Sequence, residues 1–270
     1  MTNKKRNTII SKNLISQGCC GIAVAEIIPI RSSVMRTSKT DITIKPRYNV
    51  GVFLLVIRRK KIMSFKTKRL TTTGVLLAIS AVLFAFPIIP LPYDGEVTIA
   101  AMAPIIILGY KYGMKWGFFS GIALSLIQIV IGATASGAFA VPGSGAKMVV
   151  QIILVLILDF FVAFTALGFS GMFKNKIKNN TLSLALGTVC VCLLRFIAHF
   201  VSGVIVWGSY ADAGFAPKLL SGLSGYSLMV GYSFIYNGSY MLPETIITTI
   251  VCVALISVKP LKKYIINENA

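Results

Sequence analysis

The chain has 270 residues, 56% of them hydrophobic and only 13% charged, and its mean hydropathy is +0.80. So few charges cannot solvate the surface of a soluble domain of this size, whereas lipid covers the flanks of a membrane protein and removes that demand. A formal net charge of +19 raises nucleic acid as a partner, but the basic residues gather at the ends of apolar runs without an aromatic-studded basic face, which argues against it.

Residues 1–62 stand apart from the rest. They hold thirteen Lys and Arg against two acids and show no sustained periodicity. The apolar piece Val50–Ile57 is about half of a bilayer span, and the basic run Arg58–Lys61 follows it, the reverse of a signal peptide's charge order. We read 1–62 as a disordered basic extension or an over-extended reading frame, and 63–270, opening at Met63, as the membrane domain.

From Met63 the pattern is regular. Apolar segments fall at about 70–90, 97–110, 116–132, 148–173, 182–207 and 238–258, which gives an all-α bundle of six transmembrane helices. The second is short for a full crossing, so it is expected to be tilted, buried among its neighbours or longer than its apolar run. With the start inside, eleven Lys and Arg lie on the cytoplasmic side, Lys147 and Lys218 lie outside, and Arg195 lies within a span. The positive-inside rule therefore places both termini in the cytoplasm. The outer connections are rich in Pro or Gly, material equally suited to a lid and to plain connectors.

The fifth span carries both Arg195 and His199, the chain's only histidine, four residues apart and so on one helix face. Ionisable groups in hydrocarbon cost at least ~2.5 kcal/mol each on insertion scales, so they turn towards a bundle interior or a ligand. Asp159 lies eleven residues into the fourth span, ~17 Å deep at ~1.5 Å per residue. His199 is ~12 Å down from Trp207, and Glu244 is ~9 Å into the last span, below Tyr232, Tyr236 and Asn237. Three helices thus converge on one zone in the outer half, an expected outward-facing ligand pocket.

Each residue also has a plain structural reading. Asp159 and Arg195 could pair only to fix helix packing, and His199 could donate to a neighbouring carbonyl. Trp207 and Trp116 could be interfacial anchors, and Glu244, following Pro243, could complement a helix start. Together, a carboxylate, an imidazole, a tryptophan, a tyrosine and an asparagine suit a small, flat, cationic heterocycle. Five cysteines (19, 20, 190, 192 and 252) make no CxxC pair, and with a single histidine neither a metal nor another cofactor is expected.

Several stretches carry a family resemblance: Gly95-Glu-Val-Thr-Ile-Ala-Ala-Met-Ala-Pro104, Tyr112-Gly-Met-Lys-Trp-Gly117, Leu158-Asp-Phe-Phe-Val-Ala-Phe164, His199-Phe-Val-Ser-Gly203 with Trp207, and Tyr236-Asn-Gly-Ser-Tyr-Met-Leu-Pro-Glu244. In order and spacing, from about residue 65 to 264, the chain resembles the thiamine-specific substrate-binding (S) components of energy-coupling factor transporters. The resemblance implies a six-helix fold that binds thiamine under the first outer loop. By position it assigns Asp159, Phe160, His199, Trp207, Tyr232 and Asn237 to the ligand. Some members carry a tryptophan in the first outer loop; this chain has Tyr93 there, near Glu96, and Tyr93 is expected to take that tryptophan's place as a ligand contact.

The resemblance further implies no enzymatic activity and a separate module of one membrane coupling subunit and two ATPases, in keeping with the absence of a GxxxxGK[ST] motif here. Small residues four apart on the first helix, Gly74 with Ala78 or Ala81 with Ala85, match the family's contact with that coupling subunit. It also raises the reading that 1–62 is translated leader RNA. Two rivals stay open: an S component for a thiamine precursor such as hydroxymethylpyrimidine, and a proton-coupled carrier using Asp159, His199 and Glu244 as its relay. A membrane enzyme with His199 as base lacks an activated nucleophile to support it.

Overall fold

The computed structural model describes residues 65–91, 95–135, 139–211 and 217–267. The expectation for 1–62 and the one for Tyr93 fall outside that range. Six helical bodies carry the fold: α1 (Phe65–Ala85), α2 (Ala103–Tyr112), α3 (Met114–Ala135), α4 (Gly145–Phe173), α5 (Asn180–Tyr210) and α6 (Gly225–Ser257). A short amphipathic helix, α7 (Lys259–Ile266), follows. Strands β1 (Ile89–Pro90) and β2 (Glu96–Val97) form an antiparallel hairpin between α1 and α2, with Ile89 opposite Val97.

Five of the six bodies are long and apolar enough to cross a bilayer, and α2 is not. At ten residues it rises only ~15 Å, yet all ten are buried, Lys111 among them. Its neighbours satisfy the environment that lipid would otherwise provide. Large apolar side chains point away from the core on the other bodies: Leu70, Val82, Phe119, Val130, Leu242 and Ile250 are each more than half exposed. A soluble surface would not tolerate that array, and hydrocarbon does.

Local chemistry sets the boundaries. α1 stops two residues before Pro87, which disfavours helical geometry in the residue preceding it. Pro104 sits in the first turn of α2, where its missing N–H costs nothing, and Gly113 at φ +84° makes the sharp corner into α3. Asn179 caps α5, its Oδ1 accepting from the amides of Thr181 and Leu182 at 3.0 and 3.3 Å. Gly109, Gly117 and Gly168 let α2, α3 and α4 meet backbone to backbone; a Cβ on Gly117 would run into the Gly168 carbonyl.

Two boundaries differ from the sequence expectation. The apolar run at 70–90 ends in helix at Ala85, because the hairpin takes over at Ile89. The last helix begins at Gly225 rather than near 238, so Pro243 lies in its interior and Glu244 is far from any helix start. The Gly- and Tyr-rich stretch from 225 reads as a loop by composition, but Tyr232 and Ser233 find buried packing that keeps it helical.

Candidate functional site

A cavity opens between α4, α5 and α6 on the hairpin side of the bundle. Asp159, Phe160, His199, Gly203, Trp207, Tyr232, Tyr236 and Asn237 are among its lining residues. Asp159 and Phe160 lie in a π-helical segment of α4, Leu156–Val162, while Gly203 and Trp207 lie in another of α5, Gly203–Trp207. The wider i→i+5 turn is rare and collects at functional sites, because it re-aims side chains that a regular helix would spread around its axis. Here it lets two consecutive residues, Asp159 and Phe160, face one cavity.

The polar floor is a chain of donors ending on one carboxylate. His199 Nδ1 lies 3.0 Å from Asp159 Oδ1, and the Ser202 hydroxyl donates to Asp159 Oδ2 at 2.6 Å. Arg195 Nε–H donates to His199 Nε2 at 3.2 Å. An arginine can only donate, so Nε2 is the acceptor and the ring proton sits on Nδ1, aimed at Asp159. Arg195 does not pair with Asp159 directly; the imidazole stands between them, and the guanidinium packs 4.9 Å from the Phe164 ring centroid. Asp159 accepts one bond on each oxygen from the protein, while a carboxylate has about four lone-pair positions. Capacity remains for a ligand's donors. Asp159 is the only carboxylate lining the cavity among the described residues.

The walls are aromatic. Tyr232, Tyr236 and Tyr240 follow each other at one-turn intervals on α6, with ring centroids 5.9 and 5.7 Å apart. Phe160 stacks on Phe139 at 5.8 Å, and Trp207 on Tyr210 at 5.9 Å. Asn237 is held inside the protein, its Nδ2 donating to the Ser233 carbonyl at 2.9 Å and its Oδ1 accepting from the Tyr240 hydroxyl at 2.7 Å. Gly203 is required here, because a Cβ would come within 2.9 Å of Asn237 Nδ2 and 3.0 Å of Ser233 Cβ.

The structure brings six of the expected ligand residues together: Asp159, Phe160, His199, Trp207, Tyr232 and Asn237. Glu244 takes a different place. It is 1% exposed, lies outside the cavity lining, and gives both carboxylate oxygens to Thr98. It stands one turn beyond Tyr240 on α6, past the point where the cavity closes. Trp116, expected as an interfacial anchor, donates Nε1–H to Thr73 Oγ1 and carries Arg69 3.6 Å from its ring centroid. Sequence reasoning missed Ser202, Gly203 and Ser233. Ser202 and Gly203 lie in the stretch His199-Phe-Val-Ser-Gly203 without a role assigned to them, and the 233–237–240 spacing on one helix face pointed to Ser233.

A helical bundle with apolar flanks and, among the described residues, a carboxylate-floored aromatic cavity open at its mouth has the build of a multi-pass membrane protein with room for a small molecule. A family model described as "Thiamine transporter protein" matches residues 70–264. The thiamine transporter ThiT of Bacillus subtilis is 32% identical over 200 residues, covering 71% of this chain and 88% of that protein. ThiT of Lacticaseibacillus paracasei is 25% identical over 169 residues, covering 59% of this chain and 72% of its own. A solved structure of ThiT from Listeria monocytogenes superposes with a TM-score of 0.55 at 20% identity, over 75% of this chain and all of that one, which supports the fold. The chain belongs to the thiamine transporter family, whose members are bacterial membrane transporters and not enzymes.

Proposed function

We propose that this protein captures thiamine in the α4–α5–α6 cavity from the extracellular side and delivers it for import driven by a separate ATP-hydrolysing module. The observation that carries the reading is Asp159, a carboxylate with spare acceptor capacity at the floor of an aromatic cavity. A flat cation with donor groups on one edge meets its counter-charge there, while Trp207 and the tyrosine ladder cover its faces. His199 and Ser202 orient the carboxylate, and Asn237 braces α6 against α5 through the His199 carbonyl, 3.3 Å from its Nδ2.

Coupling is assigned to α1. Only 17% of its apolar window is buried in the bundle, against 33–39% for the other spans. Gly74, Ala78 and Ala85 are exposed on it, Ala81 is half-buried, and a Cβ on Gly74 would meet nothing within 4 Å. Small residues on the least-covered helix permit close approach of a partner helix, here the membrane coupling subunit that two ATPases drive. The excess of basic residues on one side, eleven against two, supports the reading with both termini in the cytoplasm and the cavity outside.

The test is calorimetric titration of the purified full chain with thiamine and, separately, with hydroxymethylpyrimidine. One-to-one binding of thiamine, much tighter than the pyrimidine, is expected. Equal affinity for both would transfer the assignment to the precursor. Uptake in vesicles that follows a pH gradient without ATP would replace the ATP-driven reading with proton coupling.

A further inference from the structure

Between the hairpin and α2 lies a knot of buried polar groups that the ligand cavity does not use. Thr98, itself fully buried, donates its amide to Glu244 Oε2 at 2.6 Å and its hydroxyl to Oε1 at 2.5 Å. The amide of Ala101 donates back to Thr98 Oγ1 at 3.0 Å, and the Ser80 hydroxyl of α1 donates to the Ala101 carbonyl at 2.5 Å. Ala100, between them, has φ +55° and is the only non-glycine among the described residues on that side of the map. An alanine adopts that conformation only when its surroundings over-determine it. Three elements supply the constraint: α1 through Ser80, α6 through Glu244, and the turn itself through Thr98.

The knot is continuous with the cavity. β2 runs into Thr98 directly, and one residue before β2 the Gly95 amide donates to the Tyr236 hydroxyl at 3.1 Å. Tyr236 lines the cavity. Gly95 sits so close that a Cβ would lie 2.6 Å from that hydroxyl and 3.1 Å from Tyr240 Cδ1. The hairpin is therefore seated on the cavity's tyrosine wall at one end and tied to Glu244 at the other.

We infer that Glu244 is a positioning residue for ligand retention: by clamping Thr98 it holds the left-handed turn at Ala100, keeps the hairpin on Tyr236, and slows release without touching the ligand. The role in retention rests on the thiamine-binding reading above; the clamp itself does not. A carboxylate suits the task because it accepts from an N–H and an O–H at once, whereas a glutamine offers an acceptor to only one of them, so the Thr98 hydroxyl proton loses its partner and the charge that strengthens both bonds is gone.

The experiment uses the full chain as wild type, Glu244→Gln, Thr98→Val, Ala100→Gly and the double variant Glu244→Gln/Ala100→Gly. Hydrogen exchange over residues 95–101 is read without ligand, and thiamine association and dissociation rates are read by Trp207 fluorescence. Glu244→Gln should raise exchange in that segment about tenfold and speed dissociation about tenfold, with association within twofold. Thr98→Val should move both the same way by a smaller factor. Ala100→Gly should restore much of the loss in the double variant, since glycine holds φ +55° without strain, a rescue that loss of general packing would not show. Unchanged exchange at 95–101 in both Glu244→Gln and Thr98→Val, or loosening spread evenly over the helices, would overturn the inference. Wild type that binds no thiamine would overturn the functional reading while the ligand-free exchange still decides the clamp.

Discussion

At the basic end of the bundle Lys111 is fully buried, yet its ammonium is consumed by the protein: it donates to the carbonyls of Tyr264 and Asn267, the latter at 2.7 Å, and lies 3.7 Å from the Tyr264 ring centroid. Lys174 Nζ donates to the Lys111 carbonyl at 2.9 Å, and Arg69 covers Trp116. At the opposite end Asp159 is 13% exposed, receives two protein donors, and faces open space. Both ends combine charge with aromatic rings. Only at the Asp159 end does a charge with capacity to spare face a cavity. Buried charge is structural where backbone carbonyls saturate it, and it is a binding group where they stop short.

The comparison breaks most visibly at its two central charges. Asp159→Asn keeps the shape of the floor and removes the counter-charge. A hydrogen bond to a charged group contributes about 1.5–3 kcal/mol, so thiamine affinity should fall by up to about 100-fold in calorimetry while the melting temperature holds. Lys111→Met should do the reverse. Stranding the carbonyls of Tyr264 and Asn267 costs about 1–3 kcal/mol, read as a lower melting temperature with affinity within threefold. Loss of binding in Lys111→Met at unchanged stability would end the distinction between the two ends.

A smaller effect sharpens the cavity side. Trp207→Phe keeps an aromatic face and loses the larger indole surface against the ligand. An aromatic pair contributes about 0.5–1.5 kcal/mol beyond area, so affinity should weaken about 3–10-fold, seen as faster dissociation. No change would leave Trp207 as part of the Tyr210 stack alone.

How much of this was legible in the sequence follows from the same contrast. The six helical bodies, the crowding of charge at one end and the convergence of Asp159 and His199 could be read because hydropathy and charge are properties of composition, although the second body, α2, is too short to cross a bilayer by itself. Of the six residues that line the cavity as expected, Asp159, His199, Trp207, Tyr232 and Asn237 followed from their positions along the spans, and Phe160 from the family resemblance. The turn geometry could not be read. Nothing in Leu156–Val162 or Gly203–Trp207 marks a π turn, since the choice between i→i+4 and i→i+5 bonding is made by tertiary packing. Glu244 misled for a related reason. Pro243 signals a helix start, but the helix had already run eighteen residues by then, and the acid's partner, Thr98, lies 146 positions away. The direct Asp159–Arg195 pair failed because depth along a helix axis does not fix the side chain between two others.

The smallest predicted effect tests whether the two ends are independent. Arg69 Nε is buried without a hydrogen-bond partner, so the guanidinium is held chiefly by the Trp116 face, while Thr73 passes the Trp116 N–H on to the Arg69 carbonyl at 2.8 Å. Arg69→Gln removes the cation and leaves that backbone-directed chain intact. The loss should be about 0.5–1 kcal/mol, a fall in melting temperature of roughly 1–4 °C for a domain of this size. Thiamine affinity should not move, because α1 meets the cavity end through Ser80 and through Phe84, which packs against Phe164 and Arg195, and both lie several turns away from Arg69. A shift in affinity beyond threefold would mean that α1 transmits strain from the basic end to the cavity. In that case the helix assigned to the coupling subunit would also be the element through which docking changes ligand release.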